Sequence, residues 1–215
     1  MSDLFTRFDC PDTTLTRAAW RFVTDAQELF LANHSARTYL FGRALAEGQG
    51  LRAGRDFDDE LLFLGCVLHD LGLAGTGDGG QRFEVDGADR AAGFLREEGV
   101  DAERVTVVWD AVALHTSVGI AERKSPEIAF THAGAGCDLF GPPRDALAKE
   151  YTDDVHAVFP RLNVGDAIAS AVVEQAVANP AKAAPLTFPA HLAAELRPGA
   201  LALPTWSQMT SAEHW

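Results

Sequence analysis

The chain has 215 residues, 47% of them hydrophobic, and a formal net charge of −13, with 18 Lys and Arg against 31 Asp and Glu. That length suits one domain with a sizeable core, or one domain carrying an appended piece. The acidic balance argues against an extended nucleic-acid surface, which needs cations against phosphates, yet a small anionic substrate beside a metal ion stays compatible with it.

The first nine residues contain no apolar core of signal-peptide length, so a soluble, cytoplasmic protein is expected. Residues 13–24 predict a short amphipathic helix around Ala18, Ala19, Trp20, Phe22 and Val23. A longer helix is predicted over 28–47, ended by Gly48 and Gly50. On it His34, Arg37 and Phe41 fall at i, i+3 and i+7 and share a face. Such a mixed face either lines a site or holds a satisfied core histidine.

Every residue from Leu61 to Leu68 is apolar or glycine. A helix apolar all round belongs in the centre of a core, and this one is too short to cross a bilayer, which needs about 20 such residues. Asp58, Asp59 and Glu60 suit its N-terminus and Gly72 its stop. The run delivers His69 and Asp70 to its end. Burying an imidazole beside a carboxylate is costly unless each finds a partner; a metal ion satisfies both, and hydrogen bonds to neighbours are the structural alternative.

The glycine-rich stretch 72–80 lacks the GxGxxG spacing and the strand-then-helix setting of a phosphate loop, so it reads as a surface loop. Helices follow over 86–98 and, N-capped by Asp101, over 102–116. On the second, Val105, Val108, Val112 and His115 recur at helical spacing, which turns His115 inward. Ser125-Pro126-Glu127 starts a helix carrying His132 and Asp138. Six residues separate these two, about 600° of rotation, so they point roughly 120° apart. Helices over 153–159 and 164–178 come next; Pro180, Pro185, Pro189, Pro198 and Pro204 break the remainder, apart from a short helix over 191–196. His156, His191 and His214 read as surface or packing residues. Cys10, Cys66 and Cys137 form neither a CxxC pair nor a disulfide framework. No alternating strand pattern of useful length occurs, so the fold is expected to be all-α.

His34, the His69-Asp70 doublet and Asp138 thus stand on three separate predicted helices. The order His…His-Asp…Asp resembles the metal-binding signature of the HD-domain superfamily, an all-helical set of mostly metal-dependent phosphohydrolases. Asn33 to Tyr39, Leu68 to Gly72, Phe83 to Ala88, Leu114-His115-Thr116, Gly136 to Gly141 and Phe159 to Leu162 are similar to the cyanamide hydratase branch, zinc enzymes that add water to cyanamide to give urea. The resemblance implies a single HD-domain helical bundle with a buried metal site over 28–165, preceded by an N-terminal helical extension over 1–27. A C-terminal helix and Pro-rich tail over 166–215 would pack on the domain.

It further implies Zn2+, with Fe2+ or Mn2+ as alternatives, held by His34, His69 and Asp138. Asp70 is either a fourth ligand or the carboxylate that orients water at an open Lewis-acid site. His115 is the expected proton donor, backed by Glu84 and Lys124. Arg37 orients substrate or neutralises a buried carboxylate, and Phe41 belongs to the apolar wall. The expected function is hydration of a small nitrile such as cyanamide. The alternative is a phosphohydrolase of nucleotides or other phosphate esters, against which stands the shortage of basic residues, with Arg37, Arg82 and Lys124 the obvious phosphate partners. A dinuclear oxygenase and a non-catalytic binding domain are more distant readings. The expected partner is a small-molecule substrate, with neither nucleic acid nor membrane; a homo-oligomer is compatible with the composition.

Overall fold

Threonine starts the first long helix twice over. In the computed structural model, which describes residues 3–75 and 79–211, a short α1 (Asp3–Arg7) is followed by α2 (Thr14–Ala26), and Thr13 and Thr16 cap each other's backbone amides at 3.1 and 3.0 Å. The buried stripe of α2, Thr16, Ala19, Trp20 and Val23, leans on the centre of the molecule. Next come α3 (Leu29–Gly48) and α4 (Asp59–Leu68). Asp58 accepts the Leu61 amide at 3.1 Å to begin α4, and all of Leu61–Leu68 is buried, as an apolar run with no polar face requires.

A 3-10 turn over Leu71–Leu73 leads on to α5 (Phe83–Glu97), α6 (Ala102–Leu114) and α7 (Pro126–Phe140). The chain closes with α8 (Lys149–Val158), α9 (Val164–Ala178), α10 (Phe188–Leu196) and α11 (Trp206–Met209). No strand occurs among the described residues, and none of their helices is long and apolar enough to cross a membrane. The architecture is the expected all-α bundle. Helix α5 begins at Phe83 rather than 86, α8 at Lys149 rather than 153 and α10 at Phe188 rather than 191. Arg82 and Ala148 stand at the caps of α5 and α8 without a side-chain cap bond, so no capping residue marks those starts in the sequence. Neither α1 nor α11 was anticipated.

Two close backbone approaches set the geometry that matters. Helices α3 and α7 form the most extensive pair in the molecule. At their crossing a Cβ on Gly134 would strike the Thr38 carbonyl oxygen, and one on Gly42 the carbonyl oxygen of Phe130. Only glycine lets the helices pass so closely, and the approach carries His34 and Arg37 on α3 up to Asp138 on α7. At Gly72 a Cβ would strike the Phe83 carbonyl oxygen, so the turn after His69-Asp70 lies directly on the start of α5.

One large core cluster gathers Leu4, Phe5, Trp20 and Val23 of the N-terminal helices with the interior of α3 to α8. Helices α1 and α2 therefore share the main core. A second cluster ties Leu31 and Phe83 to Val164, Ile168 and Val172 of α9, and a third joins α9 to α10. Across that boundary Lys182 and Asp86 form a buried ion pair at 2.6 Å. Cys10, Cys66 and Cys137 are free and buried.

Candidate metal centre

His69 caps the C-terminal end of α4, and Asp70 follows it in the turn. The His69 Nδ1–H donates to the Cys66 carbonyl oxygen at 2.7 Å, a bond back into the last turn of α4 that aims Nε2 at α3. There it meets His34, whose Nδ1–H donates to Asp138 Oδ2 at 2.7 Å. With both Nδ1 atoms committed as donors, the rings present Nε2 lone pairs to one another at 3.2 Å whenever both are neutral. Asp70 Oδ2 lies 3.1 Å from His69 Nε2 and 3.6 Å from His34 Nε2. One ligand atom from each of His34, His69 and Asp70 falls within 4.8 Å of the others, and all three side chains are buried.

This donor set fits a divalent cation. Two facing lone pairs and a carboxylate oxygen call for a positive charge among them, supplied by a proton on His69 or by a metal ion in its place, and imidazole nitrogen with carboxylate oxygen is the ligand chemistry of zinc or iron. The electrostatics show the same demand for positive charge. Burial disfavours a charged His69, yet the neighbouring Asp70 outweighs it and holds the His69 pKa above the ordinary histidine value. Burial likewise lowers the His34 pKa, against the pull of Asp138 and with His69 adding to the drop. Burial alone would raise the Asp70 carboxyl; His69, His115 and His34 hold it far below the usual carboxylate range instead.

Asp138 sits one step back from this cluster. It accepts from Arg37 through Nε to Oδ1 at 2.7 Å and Nη2 to Oδ2 at 2.8 Å, a bidentate pair with no exposure on either side chain. Arg37 also donates to the carbonyl oxygens of Phe159 and Pro160, at 2.9 and 3.0 Å, and Arg161 bonds to the Asp138 carbonyl oxygen. Burial would raise the Asp138 carboxyl, but His34 and Arg37 overcome it and keep the group ionised. The carboxylate–histidine arrangement fixes the His34 tautomer and ring plane. Of the two roles expected for Arg37, neutralising a buried carboxylate is the one its contacts perform.

The three donors open on a cavity of about 230 Å3. His115, the cap of α6, also lines it, with its ring centroid 4.9 Å from that of His69 and Nε2 3.6 Å from Asp70 Oδ1. Its Nδ1–H donates to the Val112 carbonyl oxygen at 2.6 Å, leaving Nε2 as a lone pair facing the site. Burial, with His69 adding to it, pushes the His115 pKa down to about 4, so near neutral pH the ring arrives as a proton acceptor.

The other expected residues fall into two groups. Glu84 is fully buried at the start of α5, where it accepts from the Thr116 hydroxyl at 2.7 Å and from Arg82 at 2.6 Å; Thr116 itself lines the cavity. Lys124 pairs with Asp110 at 2.9 Å and is not among the lining residues, and Phe41 packs in the core on Tyr151 and His156. His132 does line the cavity, donating from Nδ1 to the His115 carbonyl oxygen at 2.6 Å, while Asp138 turns from the same helix toward α3. That is the divergence their spacing predicts. His156 Nε2 is buried without a hydrogen-bond partner, 4.0 Å from Asp138; His214 lies outside the described residues. Sequence reasoning missed Thr116, Arg161, Ile168 and Phe188 as parts of the site. The Phe159-Pro160-Arg161 stretch was the available signal for Arg161; Ile168 and Phe188 gave none, being apolar residues among many.

Among known families, a model described as the HD domain matches residues 31–152, more than half of the chain. No curated protein matches it.

Proposed function

Since the chain belongs to the HD-domain family, whose match runs from before His34 to beyond Asp138, we propose that it is a zinc-dependent enzyme adding water to a small nitrile, with cyanamide to urea as the reference reaction. Metal-dependent, hydrolase-type chemistry is what membership of the family suggests; nitrile hydration is our own reading of this cavity. The observation that carries it is the wall: the ionisable side chains lining it are His34, His69, Asp70, His115 and His132, with no Arg or Lys among the described residues there. A polyphosphate bound there would leave charges unpaired in an apolar enclosure, whereas a nitrile brings none.

His34 Nε2, His69 Nε2 and Asp70 Oδ2 would hold the metal, and Asp138 would orient His34 from behind. When bound, the ion supplies a Lewis acid that activates water. The remaining work belongs to His115. Its Nε2 lone pair takes a proton from water as the oxygen closes on the nitrile carbon, and the resulting imidazolium returns a proton to the nitrile nitrogen. Acceptor first and donor second, His115 ends the cycle neutral. Glu84 holds Thr116 in place beside it.

Protein purified without added metal should contain about one zinc per chain, and His69→Ala and Asp70→Ala should lose it together with part of the melting temperature, because metal bound only to the native state stabilises folding. On a substrate panel the zinc-loaded protein should form urea from cyanamide and release little phosphate from nucleoside monophosphates. Rapid phosphate release without nitrile hydration would overturn the reading in favour of a phosphohydrolase.

A further inference from the structure

We infer that the cavity recognises an apolar substituent on its substrate, an aromatic ring or a short branched alkyl group, and takes R–C≡N with such an R in preference to cyanamide. The inference rests on the nitrile reading and adds to it the identity of the group behind the reacting carbon.

Beside its polar groups the cavity is lined by Phe83, Val118, Leu139, Phe140, Ile168 and Phe188, with the small Ala135 and Gly136 of α7 among them. Two further polar side chains line it, and both spend their hydrogens elsewhere: the Thr116 hydroxyl donates to Glu84, and His132 Nδ1 donates to the His115 carbonyl oxygen. An amino group set among the apolar side chains, away from these two, would find no partner there, an unfavourable burial for a polar group. Volume points the same way. An apolar cavity of about 150 Å3 accommodates benzene, and this one measures about 230 Å3. Cyanamide, with three heavy atoms, leaves most of it to water on an apolar surface.

The wall is also aligned with the chemistry. The Phe188 ring lies 6.5 Å from Phe83, and Phe83 lies 5.5 Å from His115 in an edge arrangement. A ring seated against Phe83 therefore lies next to His115, within reach of the three donors. Ile168 and Phe188 come from α9 and α10, beyond the matched residues 31–152, so that part of the apolar lining lies outside the segment shared with the family. The step stays balanced: water oxygen bonds to the nitrile carbon, one C–N π pair moves to nitrogen and is protonated, and the second water proton shifts to nitrogen to leave the amide R–C(=O)NH2.

The test separates binding from turnover. Benzamide, the unreactive amide of the aromatic series, is titrated calorimetrically into zinc-loaded protein, and kcat/KM is compared for benzonitrile and cyanamide. Benzamide should bind, and benzonitrile should be favoured at least about tenfold, the scale on which a hydrophobic pocket discriminates. Gly136→Leu supplies the filled cavity: a Cβ there meets only a Phe140 ring carbon at 4.0 Å, and Leu outranks Gly in a helix. This variant should keep its zinc and its melting temperature, weaken benzamide binding at least tenfold and reverse the preference toward cyanamide. No benzamide binding to the native protein, or equal binding to Gly136→Leu, overturns the inference. Benzamide binding that Gly136→Leu abolishes, with neither nitrile turned over, upholds the apolar-substituent site and overturns the nitrile reading alone.

Discussion

Arg37 has no exposure to water, and that is tolerable because each nitrogen of the guanidinium is engaged, with two bonds to Asp138 and two to main-chain carbonyls. Arg37→Met should therefore cost about 3 kcal/mol, the lower end for removing one partner of a buried ion pair, since His34 and Arg161 still reach Asp138, read from urea unfolding midpoints. Arg37→Lys should recover only part of it, since an ammonium lacks the fork that meets both oxygens. Acid acts on the same residues. The carboxyls of Asp70 and Asp138 have depressed pKa values in the folded chain, so their stabilisation is present above the unfolded value near ~4 and fades as pH falls below it. His115, neutral when folded, drops to about 4; below the unfolded histidine value of about 6.5 the unfolded chain gains a proton the folded one refuses. His34 acts in the same direction and the raised His69 against it, so the histidines offset one another and unfolding midpoints measured without metal should fall chiefly below ~4, where the two carboxyls take up protons. His34, His69 and Asp70 were legible because ionisable residues ending or interrupting buried helices need partners. Phe41 was misplaced for a physical reason: α3 is buried on all sides from Leu31 to Gly42, so sharing a face with His34 selects no wall.

At the scale of elements, two glycines two residues apart on α7 have opposite meanings. Gly134 holds α3 at a distance only a hydrogen atom allows, whereas Gly136 opens on the cavity. Gly134→Ala should destabilise by roughly 1–3 kcal/mol or more as the Thr38 carbonyl is pushed away. Gly136→Ala should stabilise by up to about 1 kcal/mol through helix propensity. Chemical denaturation of the pair checks both, and equal effects would contradict the close packing of α3 on α7. The sequence displayed small residues along this helix, which signals close approach, but nothing in it distinguished the crossing glycine from the open one. That distinction depends on which turn of α3 lies opposite, a tertiary fact. Helix bodies with apolar spacing were readable for the same reason that their starts at Phe83 and Lys149 were not: burial writes a period into the sequence, and an uncapped start writes nothing.

The whole molecule is more than its matched segment. Phe159 and Pro160 receive Arg37, Arg161 grips Asp138, and Ile168 and Phe188 complete the cavity, all from beyond residue 152. Lys182 clamps α9 and α10 to Asp86 on α5. Lys182→Met should accelerate amide hydrogen exchange in α10 while α3 and α7 keep their protection; uniform acceleration would mean instead that this segment opens only with the whole fold. The same arrangement sets an order of events at the ribosome. The chain is made from its N-terminus at roughly 5–20 residues per second, so His34, His69, Asp70 and Asp138 are all synthesised seconds before Ile168 and Phe188. The side of the cavity built from α9 and α10 is therefore the last to be made, and the cavity is complete only once those two helices have packed.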